Sequence, residues 1–173
     1  MKKDLDRRLS YLYTGECSAV IVFLVISFLV NQAYPELRLY SLTSFWVSFF
    51  LLEFLLLQGT VYWYSKRKVL RKENRSITPD RIVRLLRTLK KWNVGLIIVI
   101  PGMFILDLVK MDPVPSGGLY VAGFIYLFSI LEYINYFHIQ LSYDNNSDIK
   151  NLIRSKKLKK ACLRRDFERI HQK

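Results

Sequence analysis

Apolar residues along this chain gather into four long runs separated by polar or basic stretches, at residues 17–34, 42–64, 93–109 and 119–141. About 20 apolar residues at 1.5 Å rise cross roughly 30 Å of hydrocarbon as a helix, so the runs read as membrane spans. The third is the weakest, because Pro101, Gly102 and Asp107 interrupt it. Only helices and closed barrels satisfy the backbone in lipid, and the alternating ten-residue pattern of a barrel is missing. The pattern predicts an all-α integral membrane four-helix bundle in a single membrane domain. It adds amphipathic cytoplasmic helices in the middle loop (65–91) and in the basic C-terminal tail (145–173).

Basic residues then orient the spans. Lys and Arg number 4 in residues 1–16, 1 in 35–41, 11 in 65–91, 1 in 110–118 and 10 in 142–173, which accounts for all 27. Positive residues collect on the cytoplasmic side, so the alternation places both termini and the middle loop in the cytoplasm (N-in, C-in), across a plasma membrane. Tyr34, Tyr40 and Trp46 fall toward the outer interface. Tyr62, Trp63, Tyr64 and Trp92 fall toward the inner one, as aromatic belts do. The first run is read as a span and not as a signal peptide, since the following NQAYPE has no small-x-small cleavage site.

The net charge of +13 on 173 residues would suggest nucleic acid in a soluble domain. Beside apolar runs it fits anionic lipid headgroups better. Thr78 as N-cap, Pro79 at the first helical position and Asp80 in the first turn predict a helix start. Ile82, Leu85, Leu86 and Leu89 follow at helical spacing, with Arg81, Arg84, Arg87, Lys90 and Lys91 as candidate headgroup contacts. This reads as an interfacial helix turning into the third span. In the tail, Asn145 to Asp148 offers turn and cap chemistry. Ile149, Leu152, Ile153, Leu163, Phe167 and Ile170 share a face that Lys156 and Lys160 interrupt, so an exposed basic helix, or one lying loosely on lipid, is expected there.

The candidate chemistry lies in the spans. Glu53 is the only charge in 42–64 and Glu132 the only one in 119–141. An acid near mid-bilayer is costly and marks a functional-site hypothesis. Asn135 and Tyr136 share a helix face with Glu132, and His138 lies one turn beyond Asn135. Pro101 frees the carbonyl of Ile97 from its helical donor, and such carbonyls coordinate cations in transporters. The site read from sequence is therefore Glu53, Glu132, Asn135, His138 and Pro101. The competing reading makes the acids packing groups, hydrogen-bonded to Asn135, Gln58, Tyr or Thr. An offset of 79 residues superposes Glu53 on Glu132 and Phe49 on Phe128, a short match that would describe a parallel repeat.

Zinc-protease, nucleophile-elbow and phosphate-loop motifs are missing, and the two cysteines, Cys17 and Cys162, form no disulfide framework. The sequence thus favours a non-enzymatic accessory, regulatory or immunity-type membrane subunit without a cofactor, in contact with lipid and with a second copy or another membrane protein. Its alternative is an oligomeric proton- or cation-linked transporter or channel using Glu53 and Glu132. A lipid-active enzyme built on Glu132 and His138 is the third reading.

Overall fold

The computed structural model describes residues 2–74, 77–141 and 159–171. The described residues are nearly all helical (87%). The order is α1 (Lys2–Ala33), two 3₁₀ turns (Pro35–Leu37 and Leu39–Ser41), α2 (Thr43–Glu73), α3 (Asp80–Lys110), α4 (Ser116–Phe137) and α5 (Cys162–His171). Helices α1 to α4 are long and apolar enough to cross a membrane. Their outward faces carry large apolar side chains, among them Ile21, Val25, Ile98, Ile105, Phe124 and Leu127, all exposed, as lipid contact requires.

Helix α2 is the hub, packing against α1, α3 and α4 and burying residues along its whole length from Ser44 to Leu70. One core cluster joins Leu51, Leu55 and Tyr62 to Leu86, Ile100, Tyr133, Phe137 and Leu163. A second joins Leu39, Leu42, Phe45, Phe49 and Ala122. Helix α3 meets α2 through a heptad stripe, Leu86, Asn93, Ile100 and Asp107, all buried.

The two polar members of that stripe both find partners on α2. Leu42 stands at the N-cap of α2 and offers no side-chain cap, so the first N–H groups of α2 lack intrahelical partners. Asp107, 2% exposed, supplies them from α3: its carboxylate accepts from Thr43 N at 3.1 Å and from Ser44 N at 2.7 Å. Anionic groups favour the positive end of a helix dipole. About four helical turns away, the amides of Gln58 and Asn93 exchange reciprocal hydrogen bonds of 3.0 Å.

Three expectations need correction. Helix α3 runs unbroken from Asp80 through Pro101 to Lys110, so residues 80–91 continue the span and do not turn into it. Val83 and Leu86 are buried, while Leu85 is exposed, because neighbouring helices, not a flat lipid surface, choose the covered face. Thr78 does not cap α3, since Pro79 holds the cap position and the Thr78 hydroxyl donates to Asp166 at 2.7 Å. Gly117 and Gly118 open α4, and the missing Cβ at Gly118 admits the Leu37 backbone.

The tail helix is also docked rather than loose. Asp166 is buried and accepts from Tyr62 Oη (2.8 Å) as well as Thr78. Arg169 reaches the Thr78 carbonyl at 2.8 Å, and Phe167 stacks on Phe137 at 6.2 Å. On the outer side of α5, hydrogen bonds from Lys160 hold the Glu168 carboxyl below its ordinary range. The turn expected at 145–148 and the face through Ile149, Leu152 and Ile153 lie outside the described residues.

If Asp107 caps α2, Asp107→Leu should lower stability by about 1–3 kcal/mol, the cost of leaving buried donors unmet. Asp107→Asn, which keeps one acceptor, should lose less. Thermal unfolding in detergent measures both, and equal stability of all three proteins would remove the capping role.

Candidate functional site

A cavity of about 420 Å³ lies among α1, α2, α4 and α5. Helix α1 lines it with Leu5, Arg8, Leu9, Leu12 and Glu16, and α2 with Gln58, Gly59, Tyr62, Trp63 and Lys66. Glu132, Asn135, Tyr136 and Phe137 come from α4, and the segment around α5 closes one end with Ala161, Cys162, Leu163 and Arg165. The space exists because α1 and α4 both lean on α2 and meet each other through long side chains, as Phe23 does with Phe128 at 5.9 Å.

Gly59 is the focus of that meeting. A Cβ there would lie 2.7 Å from Tyr136 Oη and 3.2 Å from the Glu16 carboxyl carbon, so only glycine lets both side chains reach α2. The Glu16 carboxyl sits beside Tyr136 and Trp63 and acts electrostatically on Glu132. Tyr136 Oη and Trp63 Nε1 are fully buried atoms whose polar neighbour is this carboxyl. Glu132 accepts from Asn135 Nδ2 at 3.3 Å, while Asn135 Oδ1 accepts from the Leu141 N–H at 2.8 Å. The second carboxyl of the site is thus Glu16, which lies just before the first apolar run. Its signal was its isolation: it is the only acid between Asp6 and Glu36.

The residues singled out from sequence separate. Glu132 and Asn135 line the cavity. Glu53 does not; it is 9% exposed, and both its carboxyl oxygens are buried without a hydrogen-bond partner. His138 caps the end of α4, its ring 5.4 Å from Tyr133. Pro101 is exposed on the outer face of α3. The carbonyl it frees on Ile97 is not available to a cation, because Tyr126 Oη donates to it at 2.9 Å. The two positions equated by the 79-residue offset are therefore in unlike settings.

The basic end of the bundle has its own ties. Asp6 on α1 pairs with Arg67 at 3.1 Å and Arg71 at 2.9 Å on α2. Arg81, Arg84, Arg87 and Lys91 are exposed. Lys90 is diverted inward, its ammonium 5.9 Å from the centre of the Phe137 ring. Among the described residues no group of three or more His, Cys, Asp or Glu could hold a metal ion.

Tyr126→Phe should destabilise the protein by about 1–3 kcal/mol by stranding the Ile97 carbonyl. In a Pro101→Ala background, where an N–H returns to that carbonyl, the same change should cost much less. A double-mutant cycle on thermal stability reads the difference, and equal costs in both backgrounds would show that Tyr126 does not serve this carbonyl. No protein-family model, curated protein or solved structure matches the chain.

Proposed function

We propose that the chain is a non-enzymatic membrane subunit of accessory, regulatory or immunity type. We place it in the plasma membrane, with both termini and the basic end in the cytoplasm. The observation that carries this reading is how the polar groups inside the spans are used. Asp107 caps α2, Gln58 pairs with Asn93, and Tyr126 serves the Ile97 carbonyl. These groups join helix to helix, as polar residues do in small bundles, and they leave outer faces that are apolar. Such faces suit lipid, a second copy or another membrane protein. Exposed Arg81, Arg84, Arg87 and Lys91 suit anionic headgroups of the inner leaflet, worth about 1 kcal/mol per basic residue, and we place lipid ahead of nucleic acid as their partner.

A second reading, an oligomeric proton- or cation-linked transporter or channel, draws support from Glu132, which opens into the cavity. Glu53 lies outside that space, so the pair expected to act together is not joined by one path.

Orientation is testable with single cysteines in a Cys17→Ala/Cys162→Ala protein. A membrane-impermeant maleimide should label Glu36→Cys and Asp112→Cys in intact cells, and Lys72→Cys only after permeabilisation. The reverse pattern would overturn the topology. For the transport reading, purified protein in liposomes should carry protons or cations. Flux undiminished in Glu53→Gln/Glu132→Gln, or none above empty liposomes from the unaltered protein, would sink it and leave the subunit reading.

A further inference from the structure

We propose that the cavity among α1, α2, α4 and α5 seats one anionic phospholipid, its phosphate at a mouth of basic side chains and the start of an acyl chain against a leucine stripe of α1. The mouth is drawn from three parts of the chain: Arg8 on α1, Lys66 on α2, and Lys159 and Arg165 just before and on α5. Arg8, Lys159 and Arg165 are exposed and Lys66 is partly buried, as suits groups at the edge of a space. Helix register sets their depth. Asp6 on α1 meets Arg67 on α2 at 3.1 Å, so Arg8 and Lys66 come to one level of the bundle. Asp166 of α5 stands 3.8 Å from Lys66, which brings Arg165 to the same end. The acids that share the cavity lie deeper. Glu16 is about 12 Å of helix beyond Arg8, and Gly59, which Glu16 abuts, is about 10 Å beyond Lys66. Those acids have donors of their own: Glu16 faces Tyr136 and Trp63, and Glu132 accepts from Asn135 at 3.3 Å. The cavity is thus divided along its length, basic at the cytoplasmic end and acidic toward mid-membrane.

Basic side chains alone do not name a lipid; what lies beside them does. Leu5, Leu9 and Leu12 recur at i, i+4 and i+7 and line the same wall as Arg8, so apolar surface begins directly next to the charge. A free phosphate has no use for that surface, whereas a phospholipid joins an anion to a chain in this order. Helices α1 and α4 pack on α2 rather than closely on each other, which gives the chain a way out to the bilayer between them. The cations keep donors to offer. Lys66 stands by Asp166 and donates to Tyr62 at 3.1 Å, and Arg165 donates to the Cys162 sulfur at 3.0 Å. An ammonium carries three donors and a guanidinium five, and Arg forms strong charge-assisted pairs with phosphate. Basic pockets between helices on the cytoplasmic side bind phospholipid headgroups. The 420 Å³ of space, within the range of small-molecule pockets, takes the headgroup and the first carbons of a chain, and the rest stays in the bilayer. The inference rests on the reading that the basic end lies in the inner headgroup layer. It is independent of whether the chain is a subunit or a transporter.

The full chain in phosphatidylcholine nanodiscs, carrying Trp46→Phe and Trp92→Phe, keeps Trp63, which lines the cavity, as its single tryptophan. Bromine on an acyl chain quenches a tryptophan that it touches. Brominated phosphatidylglycerol should quench Trp63 saturably, at a mole fraction at least fivefold lower than brominated phosphatidylcholine requires. Arg8→Gln and Arg165→Gln should each cut that preference at least threefold. Lys68→Gln/Lys72→Gln, which removes exposed charge on α2 outside the cavity, should leave it unchanged. Equal quenching by the two lipids would overturn the seat, and that comparison needs no cavity variant, so it decides even where a variant does not fold. An equal loss of preference in the Lys68/Lys72 protein would also overturn it, reducing the effect to surface charge. Relief of quenching by inorganic phosphate would leave an anion site and remove the lipid. Nanodiscs offer the same lipid to both faces, so a failed seat is distinct from a reversed topology, which the maleimide labelling reads by itself.

Discussion

Water does not reach the hydrocarbon core to satisfy a backbone group or a polar side chain, so every such group must find a protein partner. The bundle is built around that constraint. Helix α2 lacks a cap of its own, and α3 provides one through Asp107. Pro101 removes a donor from α3, and α4 replaces it through Tyr126. Gln58 and Asn93 would each be costly alone and satisfy one another. Each tie links two helices, so satisfying the polar groups also sets which helices are neighbours and in what register. Glu53, buried without a hydrogen-bond partner, is the carboxyl that the described structure leaves outside this scheme.

Where the helices leave the bilayer, the constraint relaxes and the ties change character. Helices of 31 or 32 residues are about 46–48 Å long, against about 30 Å of hydrocarbon. The excess of α1, α2 and α3 projects at the basic end, where ion pairs take over: Asp6 with Arg67 and Arg71, and Asp166 with Lys66 and Arg169. Exposed ion pairs contribute little in water, but Asp166 is buried and also hydrogen-bonded to Tyr62 and Thr78. That cluster holds α5 against the bundle. The cavity lies at this changeover, where α1 and α4 share α2 without closing on each other.

The spans were legible because hydrocarbon thickness imposes a length and a composition that no soluble helix needs. The charge alternation was equally plain, since it is a property of segments and not of contacts. The site was only half legible. Glu132 and Asn135 stood out by lying inside or beside an apolar run, and the structure does bring them to one wall. Glu16 lies at the edge of its run, where an acid is unremarkable until Gly59 is seen to admit it against α2. Glu53 looked like the equal of Glu132 because depth along a helix can be counted, whereas the direction a side chain faces depends on neighbours.

The sequence by itself determined four apolar helices and the segregation of basic residues to alternate connections, because those follow from one-dimensional counts against the thickness and charge of a bilayer. Tertiary structure alone decided what the interrupting residues do. Asp107 and Pro101 weaken the third span when read in isolation, yet one caps a neighbouring helix and the other is compensated by a neighbouring tyrosine. The worth of a polar group in lipid is set by the partner that reaches it, and that partner lies 29 to 64 residues away along the chain.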